Sequence, residues 1–137
     1  MTSTVKYTGE LRTICKHLAS GSQFETDAPV DNNGKGERFS PTDLMATSLA
    51  TCMVTVMGIK ARTLGLDMND VTVDVEKIMK ADPRRVGAIN LTFHIPEHLK
   101  TIDEKTKQVL KHTGNTCPVQ HSIHPDIAVS VNWGDWD

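Results

Sequence analysis

Residues 40–65 read SPTDLMATSLATCMVTVMGIKARTLG, and this stretch predicts one long helix. Ser40 is a good N-cap, Pro41 fits the first helical position, and Asp43 completes an S-x-x-D capping box. From Leu44 to Ile59 the residues are apolar or small nearly all round, which is not the pattern of a surface amphipathic helix. Lys60 and Arg62 fall in the last turns, where the helix dipole favours cations, and Gly65 supplies the stop. The expectation is a helix over residues 41–64 buried on most faces. A domain of this size wraps such a helix only partly, so a second subunit is expected to cover the rest.

Working outward, the residues before this helix alternate as strands over 2–7, 12–17 and 23–27, with Gly9 and the pair Ser20-Gly21 as turns. Residues 28–38, APVDNNGKGER, read as an irregular loop. Beyond the helix, residues 71–79 (VTVDVEKIM) and 86–95 (VGAINLTFHI) alternate as a hairpin around the Asp82-Pro83 turn. Residues 102–112 carry Ile102, Val109 and Leu110 among charges, a helix with one buried face that Gly114-Asn115 ends. Cys117-Pro118 opens a short helix, and residues 127–133 form a last strand. The order βββ-α-ββ-αα-β describes an α+β fold, one domain over residues 1–137, with sheets flanking a buried helix.

The composition is that of a globular domain. The chain has 137 residues, 38% hydrophobic and 23% charged, enough to bury roughly two thirds of its unfolded surface. A net charge of -2 leaves no electrostatic footprint for nucleic acid or an anionic membrane. The apolar run 44–59 is interrupted by Thr and Ser and too short to span a bilayer. The first ten residues, MTSTVKYTGE, hold no apolar signal region, so a cytoplasmic location is expected.

Three cysteines, Cys15, Cys52 and Cys117, lie far apart. An odd count without a signal peptide argues for catalytic or redox thiols over a disulfide framework. Cys52 sits mid-helix, where it serves either as a small buried hydrophobe or as a nucleophile activated by a cation from elsewhere, since the helix dipole fades beyond the first turn. Cys117 precedes a proline at a helix start, where free backbone N–H groups favour either a thiolate or a packed cap. Cys15, beside Lys16 on a strand, reads as a packing residue. Cys117, His121 and His124 are spaced C-x3-H-x2-H, a loose set for zinc, with Pro125 taking His124 off the helix; surface histidines are the plainer reading. Lys35 in GKG lacks the remainder of a phosphate loop. No cofactor is expected.

The order of these pieces resembles the OsmC/Ohr family. The resemblance is carried by SPTDLMATSLATC, a Ser/Asn-Pro-x-acid opening with the cysteine well inside the same helix, by DPRRVGAINLTFHI, and by CPVQHSI. It implies an intertwined homodimer in which two central helices are wrapped by sheets from both subunits, with two active sites at the interface. It implies that Cys52 is the peroxidatic and Cys117 the resolving cysteine of a thiol peroxidase. In the best-characterised branch a glutamate follows the helix-opening proline; here that place is Thr42 and the acid is Asp43, as in less-characterised subgroups. The activating arginine is matched by Arg12 or Arg38, with Arg12 preferred because YTGELR resembles first-hairpin sequences of the family. The implied substrate is an organic hydroperoxide, bound in an apolar pocket around Met45, Leu49 and Met53. The implied reductant is a dithiol, in the family often a lipoylated protein. The competing expectation is a non-enzymatic homodimer that binds a small apolar ligand between its subunits.

Overall fold

The computed structural model describes all 137 residues. Two compact units emerge, residues 1–45 and 46–137, and each is built by simple local rules.

The first unit is a three-stranded antiparallel meander, β1 (Ser3–Gly9), β2 (Arg12–His17) and β3 (Gln23–Asp27), in the order β1-β2-β3. The turn at Ser20-Gly21 sets the register of the second hairpin: Lys16 lies opposite Gln23, Cys15 opposite Phe24 and Arg12 opposite Asp27. The loop that follows contains one 3-10 turn, Val30–Asn32. It closes tightly at Gly34, where a Cβ would come within 1.7 Å of the Ala28 carbonyl oxygen. No other residue fits there. At its end Ser40 caps helix α1 (Pro41–Thr63) by a reciprocal pair of bonds. The Asp43 N–H donates to Ser40 Oγ at 3.0 Å, and the Ser40 N–H donates to Asp43 Oδ2 at 3.0 Å.

The second unit carries the body of α1 and a mixed sheet of β4 (Thr72–Lys80), β5 (Arg85–His94) and β6 (Ala128–Asn132). β4 and β5 form the expected hairpin, and the Asp82–Pro83 bond in its turn is cis. β6 runs parallel to β5. A parallel pair needs a crossover, and here it comprises α2 (Glu97–Lys100), α3 (Glu104–Asn115) and α4 (Pro118–Ser122). Val86, Ile89, Leu91 and Phe93 alternate into the core along β5. Phe93 packs on Trp133 with ring centroids 4.5 Å apart, and the Trp136 indole N–H donates to the Leu99 carbonyl at 2.9 Å.

Two expectations need correction, and a third gains a further role. Within the chain α1 is buried on one face only: Ala46, Leu49, Ala50, Met53, Met57 and Ala61 are enclosed, whereas Thr51, Thr55 and Ile59 point outward, Ile59 being 61% exposed. The length argument against a membrane span also falls, because the 23-residue helix is long and apolar enough to cross one by composition; its one-sided burial marks it as a core helix. The helix α3 does end at the pair Gly114-Asn115, but Gly114 has a further role. It lies inside the helix at a close crossing, where a Cβ would meet Met57 Sδ at 2.8 Å and the Trp133 ring at 3.3 Å.

Candidate functional site

Cys52 lies half-buried at the flank of α1, between its enclosed face and its outward stripe. Cys117 is the N-cap of α4 and is only 1% exposed. Its N–H donates to the Gly114 carbonyl at 3.2 Å, so the C-terminal end of α3 seats it. Its sulfur accepts the Gln120 N–H at 3.4 Å, and it lies near enough to Cys52 for that thiol to influence its titration. The two cysteines, 65 residues apart in sequence, are therefore neighbours in space.

The electrostatics divide the labour between them. Burial pushes the Cys117 thiol above the usual range; the Gln120 N–H opposes this, and the neighbouring Cys52 adds to it. Of the two readings of Cys117, thiolate or packed cap, desolvation favours the packed cap in the reduced chain.

The other site residues are in the first unit. Arg12 grips Asp27 through both carboxylate oxygens, Nε to Oδ1 at 2.7 Å and Nη2 to Oδ2 at 2.9 Å, and also reaches Glu37 at 3.1 Å. Asp27 is buried at 1% exposure and accepts the Glu37 N–H as well. The Arg12 hydrogen bonds hold its carboxyl below the ordinary range, and Arg12 is raised in return. Arg38 pairs with Glu25 at 2.9 Å. Asp43 serves the cap of α1. Asp27 was not among the sequence candidates. Its signal was the hairpin itself, since a turn at Ser20-Gly21 places Arg12 directly opposite it.

Cys15 is half-buried on β2, between Val5 and Phe24. His121 and His124 are exposed, and they are not gathered with Cys117 into a three-ligand group. The expected pocket around Met45, Leu49 and Met53 is not an open one, for Leu49 and Met53 are enclosed in the core. A cavity of about 530 Å³ lies further along α1 instead, lined by Val54, Thr55, Ile59, Arg62, Met68 and neighbouring residues.

Comparison with known proteins gives this arrangement its context. Residues 34–132 match the family described as OsmC-like protein. No match is found among curated proteins. Among solved structures, one of a protein from Psychrobacter arcticus 273-4, of proposed osmotic stress induced and detoxification response, shares 51% identity at a TM-score of 0.91. That similarity covers 96% of this chain and 94% of the other. The fold is shared more distantly with the organic hydroperoxide resistance protein OsmC of Legionella pneumophila, at 18% identity, TM-score 0.72 and 96% of both chains. It is shared also with a proposed organic hydroperoxide resistance protein of Vibrio cholerae O1 biovar eltor str. N16961, solved with captopril bound in one of its active sites. There the identity is 16% and the TM-score 0.68, over 96% of this chain and 90% of that one. With the family match spanning 34–132 and half of all aligned residues identical to the Psychrobacter protein, the chain belongs to the OsmC-like protein family.

Proposed function

We propose that this protein is a thiol peroxidase that reduces organic hydroperoxides through Cys52 and Cys117. The observation that carries the reading is the proximity of the half-buried Cys52 to the buried Cys117, on two segments that local sequence does not bring together. Cys52 is the more accessible sulfur and attacks first, since Cys117 is buried and held as a thiol. The Cys52 thiolate displaces alcohol from the hydroperoxide and becomes a sulfenic acid. Cys117 attacks that sulfur, a disulfide forms and water leaves. An external dithiol, a lipoylated protein being one chemical type, reduces the disulfide and is itself oxidised. Arg12 is assigned as the cation that favours the Cys52 thiolate; its Nη1 group is outside both carboxylate pairs. Asp43 contributes by fixing the start of the helix that bears Cys52. Half-buried Val56, one turn from Cys52 on the same helical stripe, favours an organic peroxide over hydrogen peroxide.

We assign the working form as a homodimer in the cytoplasm. The outward stripe of α1 with exposed Ile59 supports a second copy covering it. The cavity along α1 supports a second reading, a dimer that binds a small apolar ligand without chemistry.

Intact-mass spectrometry after one equivalent of cumene hydroperoxide separates the two readings. Wild type should lose two hydrogens, Cys117→Ser should gain one oxygen on Cys52, and Cys52→Ser should stay unchanged. Wild type that leaves the hydroperoxide unconsumed with every dithiol tried, or oxidation confined to Cys15, would sink the enzymatic reading in favour of the ligand-binding one.

A further inference from the structure

The two halves of the thiol pair are anchored very differently. Cys52 stands on a 23-residue helix with six enclosed side chains. Cys117 begins a five-residue helix with none. The bonds of α4 are mostly its own, the His121 N–H on the Cys117 carbonyl at 3.2 Å, the Ile123 N–H on the Val119 carbonyl at 3.1 Å, the Ser122 hydroxyl on the Pro118 carbonyl and the Gln120 N–H on the Cys117 sulfur, and Val119, Gln120 and Ile123 are only half-buried. Helix nucleation is unfavourable and one isolated turn is marginal, so the sulfur cap and the burial of Cys117 are what keep this turn formed.

Resting on the thiol-pair reading above, we propose that α4 is a redox-gated cover: formation of the Cys52–Cys117 disulfide pulls the Cys117 sulfur out of its capping position, releases α4, and opens Cys117 to the recycling dithiol. A disulfide brings two sulfurs to about 2.05 Å, well inside the contact distance of two separate thiols. The movement falls on the weaker side. α1 cannot shift without disturbing its six enclosed residues, whereas α4 has no enclosed residue to disturb.

The chemistry of recycling needs such an opening. Cys117, whose thiol burial holds above the usual range, is the poorer leaving group, and it is expelled more readily in the second, intramolecular exchange than in the first, bimolecular one. Attack on Cys117 is the better route. The incoming thiolate bonds to the Cys117 sulfur, the S–S bond breaks and Cys52 leaves as thiolate. The reductant's second thiol then displaces Cys117, which takes up a proton, and the dithiol departs as a disulfide. In the reduced fold that sulfur is only 1% exposed.

The test is hydrogen exchange on residues 116–123 in reduced protein and in protein oxidised with diamide, which takes up the two hydrogens of the thiols. Loss of a cap corresponds to about five- to tenfold faster exchange at Gln120 and His121 in the oxidised state, with α3 unchanged and no effect in Cys117→Ser. Limiting cysteamine added to the oxidised protein, followed by iodoacetamide, should leave the adduct on Cys117. A disulfide that forms with exchange in 116–123 equal or slower, or an adduct found on Cys52, overturns the gate while leaving the peroxidase reading intact. Faster exchange in a protein that consumes no hydroperoxide keeps the gate and removes the peroxidase. Failure of diamide to join Cys52 to Cys117 removes both.

Discussion

Gly114→Ala is the substitution for which helix propensity and tertiary packing give opposite answers. In a helix interior, alanine is favoured over glycine by about 0.8–1.0 kcal/mol, and Gly114 is the eleventh residue of α3. The new methyl, however, would stand 2.8 Å from Met57 Sδ, 3.3 Å from Met57 Cγ and 3.3 Å from the Trp133 ring. Met57 is 0% exposed and has no open space to swing into, and Trp133 closes the other side. Overpacking of this kind costs about 1–3 kcal/mol, leaving a net loss of about 1 kcal/mol and a melting temperature lower by roughly 3–4 °C. The same shift reaches the site. The Gly114 carbonyl accepts the Cys117 N–H, so moving α3 off α1 draws Cys117 away from Cys52. Thermal unfolding by circular dichroism reads the first effect, and the rate of diamide-driven disulfide formation reads the second. A melting temperature equal to or above that of wild type would refute the reasoning, since it would mean that Met57 yields freely and the crossing is not tight.

Other expectations follow from single observations. Because burial holds the Cys117 thiol above its usual range, its thiolate appears only as pH rises, so disulfide formation from the Cys52 sulfenic acid should speed up with alkalinity beyond pH 9. Stopped-flow monitoring of sulfenic acid lifetime, flat across that range, would contradict it. Asp27 is held below the ordinary carboxylate range by Arg12, so its contribution to stability is present above its unfolded pKa of about 4 and lost as pH falls through the folded value. The melting temperature of wild type should therefore decline on acidification from about pH 5 to pH 2, and Asp27→Asn should show a lower but flatter profile. Ile59→Lys places a charge on the outward stripe of α1 and should shift the protein from dimer to monomer in sedimentation velocity at micromolar concentration; a folded wild-type monomer there would remove the dimer.

Much of the architecture is local, and local patterns carried it. The capping box of Ser40 and Asp43 announced the start of α1, and alternation placed β2 and β3 at their observed bounds. Where reading fell short, the deciding contact was distant. Gly114 stands at the end of α3, where glycine is common, yet its further role is close approach to Met57, a residue on another helix. The four-residue α2 is too short to show a period. Nothing between Cys52 and Cys117 encodes their meeting; resemblance to a family suggested it, and the crossover carrying α3 and α4 produces it. Likewise the outward stripe of α1 cannot be told from its enclosed face by composition, because both are apolar or small.

The parallel pairing of β5 and β6 has a consequence for biosynthesis. Gly114, which seats Cys117, is itself packed against Trp133, immediately beyond β6. The resolving thiol thus acquires its place only when β6 has docked. At about 5–20 residues per second, the 65 residues separating the two cysteines take roughly 3–13 s to synthesise. For that interval the nascent chain presents Cys52 without Cys117, so on the thiol-peroxidase reading an oxidant arriving during translation meets the reactive sulfur before the residue that would rescue it. The exposure of Cys52 to damage is then greatest while the chain is still on the ribosome.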